Sequence, residues 1–186
     1  MRIQKDRSKE MLAELRHILS VYEIVPITED NYNDVLEVYE TNQDFFLLTE
    51  GKRAELSDIL SGITAVPEGF NLSDKHFVGI WRDGSIVAVL DLLVGFPDPN
   101  CVLIGLLLVH GGLKGRGIGT EIAKSILRAS ESICRNEVRL GVIDKNTRGI
   151  DFWTKMGFEQ VGKSTAAQRG IQLEITIFKY YLNGNE

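Results

Sequence analysis

The chain has 186 residues, a length that fits one domain with a continuous apolar core better than two. Its composition of 44% hydrophobic and 25% charged residues, with 4 prolines, excludes disordered, collagen-like and proline-rich classes. The net charge of −5 argues against a general nucleic-acid partner. No apolar run approaches the roughly 18–20 residues of a membrane span, and the charged N-terminus does not resemble a signal peptide. We therefore expect a cytoplasmic protein with no membrane partner.

The acidic residues are concentrated in one part of the chain. Residues 21–60 contain two basic and ten acidic side chains, a net charge of −8, whereas 1–20 carry +2 and 61–186 carry +1. This pattern has two interpretations, a solvated pair of acidic helices or a surface that attracts a cationic ligand. The sequence leaves both open.

The two cysteines give no sign of a disulfide or a metal centre. Cys101 and Cys134 fall on stretches predicted to be a buried strand and a helix. Neither belongs to a CxxC motif, and no histidine stands at zinc-ligand spacing. We expect two inert core thiols and no metal.

The first half of the chain alternates helical and strand patterns. Met11, Leu12, Leu15, Ile18 and Leu19 form the apolar stripe of an amphipathic helix, which we assign to an N-terminal extension over 1–20. The patterns that follow predict a strand at 21–27, helices at 32–39 and 53–63, and a hairpin of 76–83 and 85–95 that turns at Asp83-Gly84.

The second half reads as a β-α-β-α unit with two final strands. Residues 102–109 are apolar apart from one glycine, which predicts a strand covered on both faces at the centre of a sheet. Further periodicities predict a helix at 118–134, a strand at 138–143, a helix at 147–156 and strands at 158–163 and 171–179. This order predicts an α/β fold with a mixed central sheet of about six to seven strands and helices on both faces.

A glycine-rich loop follows the predicted central strand directly. HGGLKGRGIGTEI (110–122) places five of the 18 glycines in nine positions at the start of a helix. Glycines allow main-chain N–H groups to converge, and a helix N-terminus adds partial positive charge, so the loop suits a phosphate or pyrophosphate. A turn that merely packs closely is the alternative. The spacing matches neither the Rossmann fingerprint nor the Walker loop.

Two motifs resemble the GNAT superfamily of acetyl-CoA-dependent N-acetyltransferases. K-G-R-G-I-G (114–119) is similar to the family's [QR]-x-x-G-x-[GA] loop, and N-T-R-G-I-D-F-W-T-K-M-G-F (146–158) is similar to its later Asn and aromatic helix. The similarity extends over 21–182, which we take as the acetyltransferase domain. It implies acetyl-CoA as co-substrate and direct attack by a primary amine of a small molecule or peptide. The oligomeric state, including a homodimer, is left open.

The resemblance also implies roles for individual residues. The main chain of Leu107, Leu108 and Val109 would pair with the pantetheine arm, where the central strand splays from its neighbour at 138–143, and the Val109 N–H would bind the thioester oxygen. Asn146 would bind the arm, and Phe152 and Trp153 would flank it. The pyrophosphate would be held by Lys114, Gly115, Arg116, Gly117, Ile118, Gly119 and Thr120.

Two positions depart from the family pattern. Lys114 replaces Gln or Arg but keeps a positive charge. Trp153 stands where many members have a tyrosine that protonates the leaving thiolate, and an indole cannot donate that proton in the same way. Tyr180 or Tyr181 could replace the tyrosine. A non-catalytic acyl-CoA-binding or regulatory module with the same fold is the alternative function.

Three side chains are candidates for accepting the proton of the amine. Asp91 interrupts an apolar strand, where a carboxylate should face a cleft or find a partner. His110 follows the central strand and titrates in a suitable range, although it could point away from the cleft. Glu174 lies on the polar face of the last strand. Asp91 can alternatively anchor the acceptor.

Overall fold

A computed structural model of the chain describes residues 2–133 and 135–182, with Cys134 outside the described residues. Six α-helices occur in these ranges: α1 (Arg2–Ile18), α2 (Tyr32–Glu40), α3 (Gln43–Thr49), α4 (Leu56–Thr64), α5 (Ile118–Ser132) and α6 (Thr147–Lys155). The strands are β1 (Glu23–Pro26), β2 (Lys75–Arg82), β3 (Ser85–Val94), β4 (Cys101–Val109), β5 (Glu137–Ile143), β6 (Glu159–Gln168) and β7 (Ile171–Tyr181).

The seven strands form one mixed sheet in the order β1-β2-β3-β4-β5-β7-β6. Neighbours are antiparallel except β4 and β5, which are parallel and are connected through α5. A parallel pair needs such a crossover, whereas antiparallel neighbours can be joined by tight turns. The prediction of an α/β fold with a mixed sheet of six to seven strands is confirmed.

Helices cover both faces of the sheet and create two apolar clusters. On one face, α1 and α5 pack through Met11, Leu15 and Ile126, all of which have no exposed surface. On the other face, the second cluster includes Val38 of α2 and Ile59 of α4, which are also fully buried. The central part of the sheet is therefore covered on both sides, as the apolar run of β4 predicts.

The segment 32–64 contains three helices where the sequence predicted two. Asn42 ends α2 because its side-chain amide donates to the carbonyl of Val38 at 2.8 Å, and α3 begins one residue later. Phe46 of α3 then packs on Tyr39 of α2, with ring centroids 4.5 Å apart. A seven-residue helix of this kind depends on tertiary packing more than on its own propensity.

Strand β6 runs to Gln168, five residues beyond its predicted end at 163. Residues 163–168 contain no alternating apolar pattern, and their strand conformation comes from pairing with β7. The β6–β7 hairpin is therefore longer than the sequence indicates.

The N-terminal helix shares the core of the sheet. Met11 and Leu15 of α1 lie in the same apolar cluster as α5 and the central strands, so we expect α1 to fold with the sheet. The boundary at residue 20 stays a prediction. Among the described residues, no helix combines the length and apolarity needed to cross a membrane.

The described cysteine is a core residue. Cys101 is fully buried and is not part of a disulfide. Burial raises the pKa of its thiol to about 12, which keeps the sulfur protonated and unreactive.

Candidate active site

Strands β4 and β5 separate halfway along their length. They pair only from Cys101 to Ile104, opposite Glu137 to Leu140, and beyond this point β5 continues to pair with β7 alone. The pairing of β3 with β4 shifts by one residue between Asp91 and Leu92, which leaves Gly105 as the extra residue of a β-bulge. The bulge marks the point where the two parallel strands begin to splay.

The second half of β4 presents main-chain polar groups to this opening. The N–H of His110 donates to the carbonyl of Val87 at 2.9 Å, so these two residues form a hydrogen-bonded pair of the β3–β4 ladder. Because such pairs alternate along an antiparallel ladder, Leu107 and Val109 turn their N–H groups away from β3, towards the opening. The sequence predicted main-chain contacts from Leu107, Leu108 and Val109; by the same alternation, the N–H of Leu108 faces β3 and not the opening.

The glycine-rich loop connects β4 to the N-terminus of α5. Gly115 and Gly117 have φ angles of +78° and +87°, which other residues adopt only with strain. The first helical hydrogen bond of α5 runs from Glu121 to Gly117, so the preceding N–H groups at the helix start have no acceptor within the helix. Free N–H groups and the helix dipole are the features that attract anions to helix N-termini.

Gly111 has a different, packing role in this loop. Its N–H donates to the hydroxyl of Thr41 at 2.9 Å. A Cβ at this position would lie 2.2 Å from the carbonyl oxygen of Thr41, so no larger residue fits. The loop is therefore held against the junction of α2 and α3.

A cleft of about 980 Å³ runs from this loop along the opening between β4 and β5. It brings together most residues that the sequence predicted for the site: Asp91, Leu107, Leu108, Val109, Lys114, Gly115, Gly117, Ile118, Gly119, Thr120, Asn146, Phe152 and Trp153. Arg116 is exposed and does not line the cleft.

Asp91 forms a buried ion pair at the closed end of the opening. Its Oδ2 lies 2.6 Å from the Nζ of Lys75, and the two side chains are 14% and 3% exposed. A Cβ on Gly105 would lie 2.7 Å from the same oxygen, which places the carboxylate directly against the bulge. Burial raises the pKa of Asp91, and Lys75 partly opposes this increase.

The other two proton-acceptor candidates do not line the cleft. The ring of His110 accepts from the N–H of Gly112 through Nδ1 at 3.1 Å, and its Nε2 lies 3.3 Å from Glu37. These contacts hold the ring at the start of the loop. Glu174 is exposed on β7 and does not line the cleft either.

Phe152 and Trp153 belong to an aromatic row between the cleft and the core. Their ring centroids are 4.8 Å apart, Trp153 lies 5.0 Å from Phe158, and Phe158 lies 5.4 Å from Tyr180. Trp153 is 8% exposed. Tyr180 and Tyr181, the alternative proton donors, do not line the cleft.

Asn146 has a structural role beside its predicted ligand role. Its side-chain oxygen accepts from the N–H of Gly149 at 3.0 Å and caps the N-terminus of α6. Asn146 also lines the cleft. The same asparagine can therefore position α6 and contact a ligand.

The structure locates the acidic region relative to the cleft. Of the ten acidic residues in 21–60, only Glu50 and Asp58 line it. Arg169, from the turn between β6 and β7, contacts both: its Nε lies 3.1 Å from Glu50 and its Nη2 lies 2.8 Å from Asp58. The charge balance of the segment therefore does not carry over to the cleft as a whole.

The polar residues of the cleft that sequence reasoning missed include Asn42, Lys75 and Arg169. Lys75 stands just before an apolar strand, and Arg169 precedes a glycine in a turn, so both look like ordinary surface residues. Asn42 donates to the carbonyl of Val109 at 3.0 Å across 67 residues. Only the buried Asp91 gave a signal, because a carboxylate in an apolar strand requires a partner.

The chain is similar to known proteins over most of its length. The model of the Acetyltransferase (GNAT) family matches residues 29–158. An uncharacterized N-acetyltransferase of Methanocaldococcus jannaschii is 22% identical over 168 residues, which cover 83% of this chain and 68% of that protein.

Solved structures share the fold at low identity. An acetyltransferase from Thermus thermophilus gives a TM-score of 0.66 at 18% identity and covers 87% of this chain and 97% of its own. The Salmonella typhimurium protein yncA, whose structure contains its cofactor acetyl-CoA, gives 0.59 at 12% identity, with coverages of 89% and 96%.

The splayed strands, the glycine-rich loop and the family match define an acetyl-CoA-dependent acyltransferase. The chain belongs to the GNAT acetyltransferase family. Within residues 2–133 and 135–182, no group of three or more His, Cys, Asp or Glu side chains could hold a metal ion.

The position of Trp153 leads to a test of its role. Trp153→Phe should lower the free energy of unfolding by about 1–2 kcal/mol, because it removes part of a buried ring. We expect kcat to fall less than tenfold, since the indole packs and transfers no proton. Denaturant unfolding and steady-state kinetics measure the two effects, with Trp153→Tyr as the variant that restores a hydroxyl. A hundredfold loss of kcat in a folded Trp153→Phe protein would contradict this role.

Proposed function

We propose that this protein transfers the acetyl group of acetyl-CoA to a primary amine by direct attack. The observation that carries the proposal is the separation of β4 from β5 beside the N-terminus of α5. It leaves a cleft with N–H donors along one side and an anion site at one end, which fits an extended thioester with a pyrophosphate. Such a site accelerates the reaction by orientation and by stabilising developing negative charge.

The pyrophosphate would be bound by the loop from Lys114 to Thr120, with Arg116 contributing charge from the exposed side. Leu107 and Val109 would bind the pantetheine arm and the thioester oxygen through their N–H groups, with Leu108 between them on β4. Asn146, Phe152 and Trp153 would line the opposite side of the arm. The bound co-substrate supplies an activated acetyl thioester.

Asp91 is the proton acceptor, or the anchor of the amine, that fits the cleft best. It is the one of the three candidates that lines the cleft, and it lies at the bulge where β4 leaves β5. Its raised pKa makes it a stronger base than an exposed aspartate. We assign His110 a positioning role instead, because its ring holds Gly112 and Glu37 at the start of the loop.

The acceptor would be a small molecule or peptide that carries positive charge. The support for a cationic acceptor is not the net charge of residues 21–60. It is the three carboxylates that line the proposed acceptor end, Glu50, Asp58 and Asp91. Arg169 and Lys75 already pair them, so the attraction is moderate. We expect cationic amines to react best and their KM to rise with salt, because salt screens this attraction.

The test is turnover of acetyl-CoA with a panel of cationic, neutral and anionic amines, with mass spectrometry of the products. N-acetylated cationic amines are the expected result. A panel in which neutral or anionic amines react best would refute the acceptor class. Binding of acetyl-CoA without turnover of any amine would favour the non-catalytic acyl-CoA-binding module. The feature that supports this alternative is Trp153, which stands where many family members have a tyrosine.

A further inference from the structure

Two walls of the acceptor end come from parts of the chain that are far apart in sequence. One wall contains Glu50, which directly follows α3, and Asp58 of α4. The β6–β7 hairpin supplies Ala166, Arg169 and Leu173 to the other wall. Both sets line the same cleft. Any contact between them therefore closes the cleft over its acceptor end.

Arg169 makes that contact through a hydrogen-bonded ion pair with Asp58 and a second ion pair with Glu50. Its guanidinium lies 3.1 Å from a carboxylate oxygen of Glu50 and 2.8 Å from one of Asp58. The two carboxylates are 14% and 8% exposed and the Arg169 side chain is 42% exposed, so solvent screens these ion pairs in part. Beside them, Gly51 approaches Ile171 so closely that a Cβ would lie 2.5 Å from the Ile171 Cδ1.

The backbone at Arg169 is unfavourable for an arginine. Arg169 and Gly170 form the two-residue turn between β6 and β7, with φ angles of +49° and +80°. Turns of this kind favour asparagine or glycine at both positions, and a long side chain at positive φ is uncommon. The ion pairs of Arg169 therefore have to offset the conformational free energy of its positive φ. This combination indicates that the side chain has a role at this position.

We propose that Arg169 is a positioning residue that fastens the β6–β7 hairpin to α3 and α4 and closes the acceptor end of the cleft. This role rests on the proposed function, since it concerns the acceptor of that same site. Its partners are ionic, so the closure weakens as salt increases.

The turn itself supplies an informative variant. Arg169→Asn places a better residue at a positive φ, so turn propensity alone would make the hairpin more stable. If the ion pairs fasten the hairpin, hydrogen exchange of residues 164–173 should instead become at least about tenfold faster. Arg169→Lys keeps the charge but loses the planar guanidinium, which can contact two carboxylates at once. Its exchange rate should lie between those of the wild type and Arg169→Asn.

A matched control exists at the other two-residue hairpin turn. Asp83 has a φ of +52°, precedes Gly84 and is 94% exposed, with a single contact to its neighbour Arg82 at 3.7 Å. Asp83→Asn changes a turn residue of the same conformation without touching the cleft. It should leave both the exchange of residues 164–173 and the kinetics unchanged.

The kinetic measurement separates closure from the binding of acetyl-CoA. In Arg169→Asn we expect kcat/KM for the amine to fall about tenfold, chiefly through KM, with the KM of acetyl-CoA unchanged. Unchanged or slower exchange in Arg169→Asn would overturn the fastening. Faster exchange with unaltered amine kinetics would overturn its role at the acceptor site. If the wild type acetylates no amine, the proposed function fails, and exchange alone still decides whether Arg169 fastens the hairpin.

Discussion

Asp91→Asn is expected to lower kcat/KM for the amine by about 10²–10⁴-fold, the range that a positioned general base contributes. Asparagine has nearly the same volume and can still accept a hydrogen bond from Lys75, so the variant should fold. The affinity for acetyl-CoA should change little, because Asp91 is not among the residues proposed to bind it. Steady-state kinetics and titration calorimetry measure the two quantities.

The pH profile distinguishes a base from a structural carboxylate. A base must be deprotonated, so activity should rise with pH through the pKa of Asp91. Lys75 lowers this pKa against the effect of burial, so Lys75→Met should move the rising limb to higher pH. Glu174→Gln, at the exposed candidate on β7, is the control and should leave the profile unchanged. An Asp91→Asn enzyme with wild-type kcat/KM would rule out both a base and an anchor.

Gly117→Val is expected to abolish the stabilisation of the protein by acetyl-CoA. In the wild type, ligand at ~100 times its Kd adds ~2.7 kcal/mol. For a chain of this size this corresponds to a rise in Tm of about 5–10 °C. Gly117 caps α5 with a φ of +87°, and a β-branched residue resists that conformation. Gly117→Val should therefore act through backbone strain and not through a steric clash. Apart from the neighbouring residues in the chain and the backbone of α5, no described atom lies within 4 Å of a Cβ at this position.

Gly162→Val supplies the control for this substitution. Gly162 lies in β6, does not have a positive φ, and has no neighbouring atom within 4 Å of an added Cβ. Its variant should respond to acetyl-CoA like the wild type. A folded Gly117→Val protein with normal binding would show that the loop assignment is wrong. If millimolar acetyl-CoA does not raise the Tm of the wild type, the proposed acetyl-CoA site is refuted.

The parts of the protein that sequence alone determined are those whose physical cause is local. The apolar run of 102–109 predicted a central strand, and the glycines after it predicted a loop that opens a helix. Gly115 and Gly117 adopt positive φ, which glycine adopts without strain. The residue type alone therefore indicates the turn. Order and spacing of two such motifs were enough to identify the fold and the family.

Tertiary structure decided which polar groups meet in the cleft. Asp91 finds Lys75 across a hairpin, Asn42 reaches Val109, and Arg169 reaches Asp58 over 111 residues. No periodicity encodes such pairs, because each depends on how distant elements pack. The same packing directs eight of the ten acidic residues of 21–60 away from the cleft. A charge count along the chain measures composition, whereas the field at a site depends on position and pairing in three dimensions.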